Sequence, residues 1–303
     1  MIEVTFLGTV SGIPTKDRNH PAIALEYYGE QKATLLFDCG EGTQKQLMIV
    51  GISFMDIDKI FITHWHADHF AGLIPLIQTM NMEKRKKELK IFAPEAERFV
   101  ADIVDLGYFG LRFPIEAVNV PFEGEEITKI MTEEEYEVFS IPVLHTVPAV
   151  AYCFKEADRW NISLGKLKTG NLKRGVWLKK LKAEGKAEYK GKIIRLEDVA
   201  DVTPGQKVVY TGDTKPCDNI VKISKGADLL IHDGTFLELD EVKGKYHADV
   251  KQAAKSAKEA EVKQLVLTHL SRRYTDIKPL EEEAKKVFAN TKVAHDFMKV
   301  KLK

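Results

Sequence analysis

The sequence predicts an α/β protein with two stacked sheets and helices on the outside. Apolar, β-branched runs alternate with stretches of helical periodicity along the chain, and this alternation is typical of α/β folds. Strand-like runs open each half of the chain, which favours two sheets. A chain of 303 residues is long enough to bury a sizeable core in such a fold.

The predicted strands are short apolar and β-branched runs separated by turn formers. They cover residues 1–8, 22–27, 34–37, 57–63, 90–92, 137–144, 207–211, 229–232 and 264–268. The predicted helices have apolar residues three and four positions apart. They cover residues 43–50, 70–82, 96–106, 248–260 and 279–289. No apolar run approaches the length of about 18 residues that a membrane span needs, so none is expected.

Composition limits the classes of function. Basic and acidic residues number 45 each, which argues against a globally basic nucleic-acid binder but is compatible with local basic patches. The three cysteines, Cys39, Cys153 and Cys217, are odd in number and far apart. They predict core positions in a protein of the reducing cytoplasm, without a disulfide framework. The N-terminus has no signal-peptide pattern.

The strongest chemical signal is the motif His-x-His-x-Asp-His at residues 64–69, directly after a predicted strand. In a continuing strand, positions 64, 66 and 68 would share one face and position 69 would not, so the chain must turn for all four to converge. Imidazole and carboxylate ligands without thiolate suit zinc or a similar divalent metal. Four ligands exceed the needs of one open site and predict two metals. The alternative is a solvated, histidine-rich turn.

Three more candidate ligands, His145, Asp213 and His269, each come just after a predicted strand. Because α/β folds place ligands at such strand ends, we expect all of them in one site. One metal is expected to bind His64, His66 and His145, and the other Asp68, His69 and His269. Asp213 would bridge the two metals, and a water or hydroxide would take the second bridging position.

Proton transfer needs further groups. Asp68 is the candidate to orient or deprotonate the nucleophile. His247 begins a helix-like stretch and could act as general acid, with Asp233 orienting it. Alternatively, His247 caps that helix and Asp233 is a turn residue. His20 and His295 are expected to be structural.

One segment is strongly basic within this neutral chain. Residues 165–192 contain ten basic and two acidic residues, and five glycines there interrupt any long helix. We interpret the segment as a protruding arm that binds an anionic partner, with Lys173 and Arg174 as candidate contacts. The alternative is a solvated surface loop. The shorter basic cluster at residues 84–87 is expected to be a solvated helix end.

Several motifs carry a family resemblance. They are Phe6-Leu7-Gly8-Thr9, the Pro-x-Lys-x-Arg-Asn loop at residues 14–19, the segment Asp-Cys-Gly-Glu-Gly-Thr at 38–43, and His-x-Ser-x-Arg-Tyr at 269–274. With the metal-ligand motif, they resemble the metallo-β-lactamase superfamily and, within it, the ribonuclease Z (tRNase Z) family. The resemblance implies an αββα sandwich of two stacked mixed sheets, forming a single catalytic domain over residues 1–303. It also implies an inserted tRNA-binding arm at about residues 153–192.

The resemblance further implies a homodimeric, zinc-dependent endoribonuclease of the cytoplasm. Such an enzyme removes the 3′ trailer from precursor tRNA, cleaving after the discriminator base and leaving a 3′-hydroxyl. Two zinc ions per subunit are expected, with manganese or another divalent metal as the alternative. A metal-bridging hydroxide would attack the scissile phosphate, while the arm of the other subunit grips the tRNA.

Two segments supply candidate substrate-binding residues. Lys16 and Arg18 lie in the loop after the first strand, where they could contact phosphates or the RNA 3′ region. Ser271 and Arg273 follow ligand His269 and could hold the scissile phosphate. The alternative for Arg273 is a structural salt bridge.

Three positions depart from the family pattern. Asp233 stands where the family often has glutamate, which shortens the reach of the carboxylate. The segment His-Ala-Asp at residues 247–249 replaces the frequent His-Ser-Thr, and Val176 replaces the proline of the arm's Gly-Pro signature.

Two other classes of function are compatible with the sequence. Another dinuclear hydrolase on the same fold, such as a small-molecule phosphodiesterase, thioesterase or lactamase, needs the same ligands but neither the basic arm nor the Lys16/Arg18 loop. A non-catalytic RNA-binding protein with a structural metal is the other class. Structural zinc sites are usually closed and four-coordinate, often with thiolates, and seven nitrogen and oxygen ligands do not fit that pattern.

Overall fold

The computed structural model describes residues 1–108, 110–238 and 246–303. The strands in these ranges are β1 Ile2–Gly8, β2 Ala22–Tyr28, β3 Lys32–Phe37, β4 Ile57–Phe61, β5 Leu89–Ala93, β6 Ile115–Asn119, β7 Thr128–Thr132, β8 Tyr136–Pro142, β9 Val150–Glu156, β10 Arg159–Ile162, β11 Lys186–Tyr189, β12 Lys192–Arg195, β13 Ala200–Thr203, β14 Lys207–Tyr210, β15 Leu229–Asp233, β16 Leu265–Thr268, β17 Thr291–Val293 and β18 Lys299–Leu302. The helices there are α1 Thr43–Val50, α2 Ala67–Phe70, α3 Leu73–Met82, α4 Ala96–Leu106, α5 Leu164–Thr169, α6 Trp177–Glu184, α7 Leu196–Val199, α8 Asp218–Ser224, α9 Val250–Glu259 and α10 Lys278–Lys285. None of these helices has the length and apolar character needed to cross a membrane.

Two mixed seven-stranded sheets lie in the larger of two compact units, Met1–Glu133, Glu137–Lys155 and Lys207–Lys303. The first sheet has the order β18-β1-β2-β3-β4-β5-β6, antiparallel as far as β3 and parallel from β3 to β6. The second has the order β17-β16-β15-β14-β9-β8-β7, parallel from β17 to β14 and antiparallel between β14 and β9. Both sheets therefore present several parallel strand ends at one edge, where ligand sites form.

The inner faces of the two sheets pack through aromatic rings. Tyr152 of β9 lies 5.3 Å from Phe61 and 6.1 Å from Phe37 between ring centroids. Its hydroxyl donates a hydrogen bond to the carbonyl of Ile62 at 2.8 Å, so its polar atom is satisfied in the core. The outer faces carry apolar clusters, with Leu47, Leu76 and Val100 of α1, α3 and α4 on the first sheet and Ile220, Ala253 and Leu280 of α8, α9 and α10 on the second. These are the helix, sheet, sheet and helix layers that the sequence predicts.

The metal-ligand motif lies where the chain leaves β4. The strand ends at Phe61, two residues earlier than predicted. The helix predicted over residues 70–82 begins three residues later, as α3, and a separate short helix, α2, ends at Phe70. Gly72 lies between α2 and α3. A Cβ at this position would be 2.1 Å from the carbonyl oxygen of Gly40. That close approach requires glycine. It leaves α2 as a separate turn that carries Asp68 and His69.

The interpretation of residues 84–87 as a solvated helix end is wrong for Arg85. Its side chain is 2% exposed and donates hydrogen bonds to the carbonyls of Met55 at 3.0 Å, Lys87 at 2.7 Å and Glu88 at 2.9 Å. A fourth bond reaches Asp58 at 2.8 Å. Arginine offers five donors in a fixed plane and can satisfy several carbonyls at once. The side chain thus links the turn before β4 to the turn before β5.

The smaller compact unit is Glu134–Tyr136 with Glu156–Gln206. Two antiparallel pairs, β10 with β13 and β11 with β12, surround a small core of Leu167, Leu181, Ala187 and Val199. The main segment of this unit, Glu156–Gln206, begins and ends later than the arm expected at about residues 153–192. Residues 153–155 belong to β9 of the larger unit. The weakly apolar β13 belongs to the smaller unit, which ends at Gln206.

We predict that Arg85→Ala lowers the free energy of unfolding by about 2–4 kcal/mol, because it leaves buried carbonyls without donors. Lys87→Ala is the matched control, since exposed Lys87 also pairs with Asp58 and its loss should cost less than about 1 kcal/mol. Guanidinium denaturation followed by circular dichroism measures both. Equal shifts of the two midpoints would contradict the structural role of Arg85.

Candidate active site

Four segments of the larger unit bring the predicted metal ligands together. The loop after β4 and helix α2 carry residues 64–69, while His145, Asp213 and His269 follow β8, β14 and β16. The loop after β14 approaches the first segment at Gly212, which has a φ of +58° and whose Cβ would lie 2.6 Å from the Cβ of Thr63. Glycine is required there for both reasons.

Within the described residues, three groups of side chains place ligand atoms within 4.8 Å of one another. They are His64, His66, His145 and Asp213; Asp68, His69 and His269; and Asp213, Asp233, His247 and His269. The first two groups correspond to the two ligand sets expected from the sequence. Asp213 belongs to the first and third groups, which places its carboxylate centrally.

The Asp213 carboxylate is 3% exposed and is surrounded by imidazole rings. Its Oδ1 lies 3.3 Å from Nε2 of His69, and its Oδ2 lies 3.2 Å from Nε2 of His269. Oδ2 is also 3.8 Å from Nε2 of His64 and 4.0 Å from that of His145. Burial alone would raise the pKa of Asp213, but the histidines, His269 first, hold that pKa well below its usual range. The carboxylate is therefore ionised.

The donor set of these residues fits a divalent metal. Among the described residues, Nε2 of His69, Nε2 of His269 and Oδ1 of Asp213 are buried and form no hydrogen bond. Buried polar atoms normally have a partner. Both ring nitrogens lie beside the Asp213 carboxylate, Nε2 of His69 3.3 Å from Oδ1 and Nε2 of His269 3.2 Å from Oδ2. The opposite ring nitrogens are held: Nδ1 of His69 is 2.7 Å from Oδ2 of Asp38, and Nδ1 of His269 is 2.9 Å from Oγ1 of Thr235. This leaves each Nε2 free for a metal.

Asp38 is a supporting residue to which the sequence assigned no role. Its Oδ1 accepts the backbone N–H of Thr63 at 2.8 Å, and its Oδ2 accepts the hydroxyl of Tyr210 at 2.7 Å besides binding His69. Burial, and then the Asp38 charge, raise the pKa of Tyr210 well above its usual value, so the phenol stays protonated. The motif at residues 38–43 was the available signal for Asp38, while Tyr210 looked like an ordinary strand residue.

Asp68 is held by the loop that follows β1. The backbone N–H of Gly12 donates to Oδ2 of Asp68 at 2.8 Å. The same oxygen lies 3.5 Å from Nε2 of His269 and 3.7 Å from Nε2 of His69. Burial raises the pKa of Asp68, but His269 and His69 outweigh it and lower the pKa well below the usual range. Asp68 is thus an ionised acceptor.

His247 and Asp233 form a hydrogen-bonded pair, with Nδ1 of His247 2.9 Å from Oδ2 of Asp233. Burial lowers the pKa of His247, but the Asp233 carboxylate more than offsets this and raises the pKa to about 9. The imidazole therefore carries a proton at neutral pH. The alternative role of His247 as a helix cap is wrong, because Asp249 is the N-cap of α9. The alternative role of Asp233 as a turn residue is wrong, because it is the last residue of β15.

A cavity of about 500 Å³ opens over these groups. Its lining includes Ser271 and Arg273 but neither Lys16 nor Arg18. Lys16 is exposed on its loop, and Nη2 of Arg18 donates to the carbonyl of Tyr274 at 2.6 Å. Arg273 forms no ion pair within the described part of the chain, so the salt-bridge alternative finds no partner there.

The predicted arm contacts lie in the smaller unit, between α5 and α6. Lys173 and Arg174 are both exposed. The backbone N–H of Lys173 donates to the hydroxyl of Tyr189 at 3.1 Å, and its carbonyl accepts the indole N–H of Trp177 at 3.0 Å. The two rings pack at 4.9 Å between centroids, so an aromatic pair fixes this basic segment.

Two family models match parts of the chain, and curated relatives match nearly all of it. Residues 2–100 match the family model of the Anti-Pycsar protein Apyc1, and residues 194–270 match that of the beta-lactamase superfamily domain. The chain is 45% identical over 277 residues to Ribonuclease Z of Thermococcus sibiricus, covering 90% of this chain and 88% of that one. It is 40% identical over 306 residues to Ribonuclease Z of Pyrococcus abyssi, covering 100% and 97%.

Solved structures share the fold. Human tRNase Z, short form, superposes with a TM-score of 0.68 at 27% identity, covering 99% of this chain and 98% of that one. A diphosphatase from the PhnP family superposes with a TM-score of 0.64 at 18% identity, covering 100% and 98%; this likeness concerns the fold alone. Together these matches confirm the predicted metallo-β-lactamase fold. On the strength of its full-length relatives, the chain belongs to the ribonuclease Z family.

Proposed function

We propose that the chain is an endoribonuclease that removes the 3′ trailer from precursor tRNA, cutting after the discriminator base and leaving a 3′-hydroxyl. The observation that carries the proposal is the convergence of seven nitrogen and oxygen ligands beside an open cavity, in a member of the ribonuclease Z family. An open site with such ligands suits catalysis better than a structural metal role.

Two zinc ions, or manganese or another divalent metal in their place, are the cofactors in this proposal. His64, His66 and His145 would hold one ion, Asp68, His69 and His269 would hold the other, and Asp213 would contribute to both. Such ions, when bound, lower the pKa of a nucleophilic water and offset charge on the phosphate. His247 is not assigned as a ligand, because its Nδ1 faces Asp233 at 2.9 Å.

The remaining side chains position the reacting groups or transfer protons. Asp68, ionised and held by Gly12, orients the nucleophile or accepts its proton. His247 lines the cavity with its proton in place and donates to the leaving oxygen, while Asp233 fixes the ring. Ser271 and Arg273, also in the cavity lining, hold the scissile phosphate or its neighbour.

The smaller unit is the tRNA-binding arm in this proposal. All ten basic residues of the segment 165–192 are exposed, and a polyanionic substrate gains affinity from such a surface. Lys173 and Arg174 form no ion pair among the described residues, so their charges are available to phosphates. Lys16 and Arg18 are proposed RNA contacts on the loop after β1, although Arg18 also binds the Tyr274 carbonyl. The homodimer and the cytoplasmic location stay predictions.

The competing function is another dinuclear hydrolase that acts on a small phosphodiester. The favoured function differs from it in needing the basic unit, and that difference can be measured.

We predict that Asp213→Ala removes most bound metal from both positions, whereas His145→Ala removes about one equivalent, because Asp213 lies between the two ligand sets. His295→Ala, which changes an exposed histidine outside the cluster, is the control and should retain full metal. Plasma mass spectrometry of the dialysed proteins gives the content. Equal metal loss in the Asp213 and His145 variants would contradict the bridging role.

We predict that His247→Ala slows precursor cleavage by about 10²–10⁴-fold. The same variant should lose less than about tenfold on a bis(nitrophenyl) phosphate, because nitrophenolate departs without a proton. Single-turnover rates on both substrates measure the difference, with metal content recorded alongside. Equal losses on both substrates would rule out the proton-donor role, and loss of metal would assign His247 as a ligand.

We predict that deleting residues 159–203 and joining Asp158 to Pro204 lowers kcat/KM for precursor tRNA by about 100-fold or more, since phosphate contacts dominate RNA affinity. Hydrolysis of the small diester should stay within about twofold, because the metal-site residues are retained. Mapping the cut end at nucleotide resolution identifies the reaction.

A milder pair of variants controls for the deletion. Lys173→Glu with Arg174→Glu should weaken precursor binding, whereas Lys255→Glu with Lys258→Glu, the same charge change on exposed residues of α9, should not. Unchanged precursor cleavage by the deletion variant would exclude a tRNA-binding role of the arm. A wild-type enzyme that hydrolyses the small diester but not the precursor would favour the competing hydrolase.

A further inference from the structure

Phe236 is a cavity residue to which the proposed mechanism assigns no task. It follows β15, is 9% exposed and lines the cavity beside Arg273 and His247. The guanidinium carbon of Arg273 lies over the Phe236 ring, 5.2 Å from its centroid. The ring also meets His247 at 6.2 Å between centroids and an interplanar angle of 80°.

The Phe236 backbone is fixed. Its carbonyl accepts the N–H of Val250 at 2.9 Å, and the residue forms an isolated parallel bridge with Asp249. The preceding residue, Thr235, donates its backbone N–H to Oδ1 of Asp233 at 2.9 Å and its hydroxyl to the carbonyl of His269 at 2.9 Å. The Phe236 ring therefore belongs to the same short segment that contacts Asp233 and His269.

Arg273 is exposed and forms no hydrogen bond or ion pair within the described ranges. A long, free side chain loses conformational entropy when it is ordered on a substrate. The face of an aromatic ring attracts a guanidinium, and a cation held over the ring retains its in-plane N–H donors for phosphate oxygens. The contact with Phe236 therefore orders Arg273 without consuming the donors that a phosphate needs.

We propose that Phe236 is a positioning residue that holds the Arg273 guanidinium at the cavity mouth for a phosphate of the RNA substrate. The inference rests on the proposed function, since it requires an anionic nucleic-acid strand to enter the cavity. Phe236 acts through Arg273 and does not itself bind the phosphate.

A double-mutant cycle tests the proposal, with kcat/KM on precursor tRNA for the wild type, Phe236→Leu, Arg273→Ala and the double variant. Phe236→Leu should lower kcat/KM by about three- to tenfold, and the double variant should match Arg273→Ala alone within about twofold. Phe236→Tyr retains the ring face and should restore wild-type activity within about twofold.

Salt dependence provides a second readout. Arg273→Ala should reduce the slope of log(kcat/KM) against log salt by about one, as loss of one phosphate contact does. Phe236→Leu should reduce it in the same direction, and Phe236→Tyr should leave it unchanged. Arg98→Ala removes a similar cation–ring pair with Phe99 outside the cavity lining, and should change neither quantity.

The outcomes separate this inference from the proposed function. The positioning role would be overturned if the losses of kcat/KM from Phe236→Leu and Arg273→Ala multiply in the double variant. It would also be overturned if Phe236→Tyr loses as much kcat/KM as Phe236→Leu. Both tests apply to an enzyme that still cleaves precursor. Absence of precursor cleavage by the wild type would overturn the proposed function instead. If Phe236→Leu lowers the unfolding midpoint, Phe236→Met replaces it in the cycle under the same criterion.

Discussion

The buried Asp213 carboxylate is the constraint around which the site is arranged. An ionised carboxylate removed from water is costly unless opposite charges or a metal compensate it. Here four imidazole rings approach its two oxygens, and they come from three loops at strand ends. The close approach of Gly212 to Thr63 is what brings the Asp213 loop within reach of the first of these loops. The packing of the two sheets therefore also determines how the charge of Asp213 is compensated at their edge.

Residues outside the ligand set fix the direction of the ligands. Asp38 follows β3 of the first sheet, and Tyr210 ends β14 of the second. Oδ2 of Asp38 accepts the Tyr210 hydroxyl and also contacts Nδ1 of His69. Thr235 performs the corresponding task for His269. Such outer contacts set the tautomer and ring orientation of a ligand. Because Asp38 draws on both sheets, a shift of one sheet against the other would turn His69 away from Asp213.

The parts that could be predicted from the sequence have local causes. The helices α1 and α4 have the bounds predicted for them because their apolar spacing is local. The seven candidate ligands could be named because each comes after a predicted strand, and the structure brings their side chains together. Other features depend on partners distant in the chain. The buried state of Arg85 requires carbonyls from two turns, and the break at Gly72 requires the approach of Gly40. The hydroxyls of Tyr210 and Thr235 carry no sequence signal, since only tertiary contact gives them a role.

Chemistry and substrate choice reside in different parts of the chain under the proposed function. A cluster of histidine and aspartate ligands activates water for any phosphodiester, so the cavity floor cannot by itself select RNA. Selection then falls to groups outside the ligand set, namely the exposed basic segment braced by Trp177 and Tyr189 and Arg273 at the cavity mouth. Neither belongs to the groups of candidate metal ligands found among the described residues. The rim and the basic unit can therefore change charge and shape while the balance of buried charge around Asp213 stays intact.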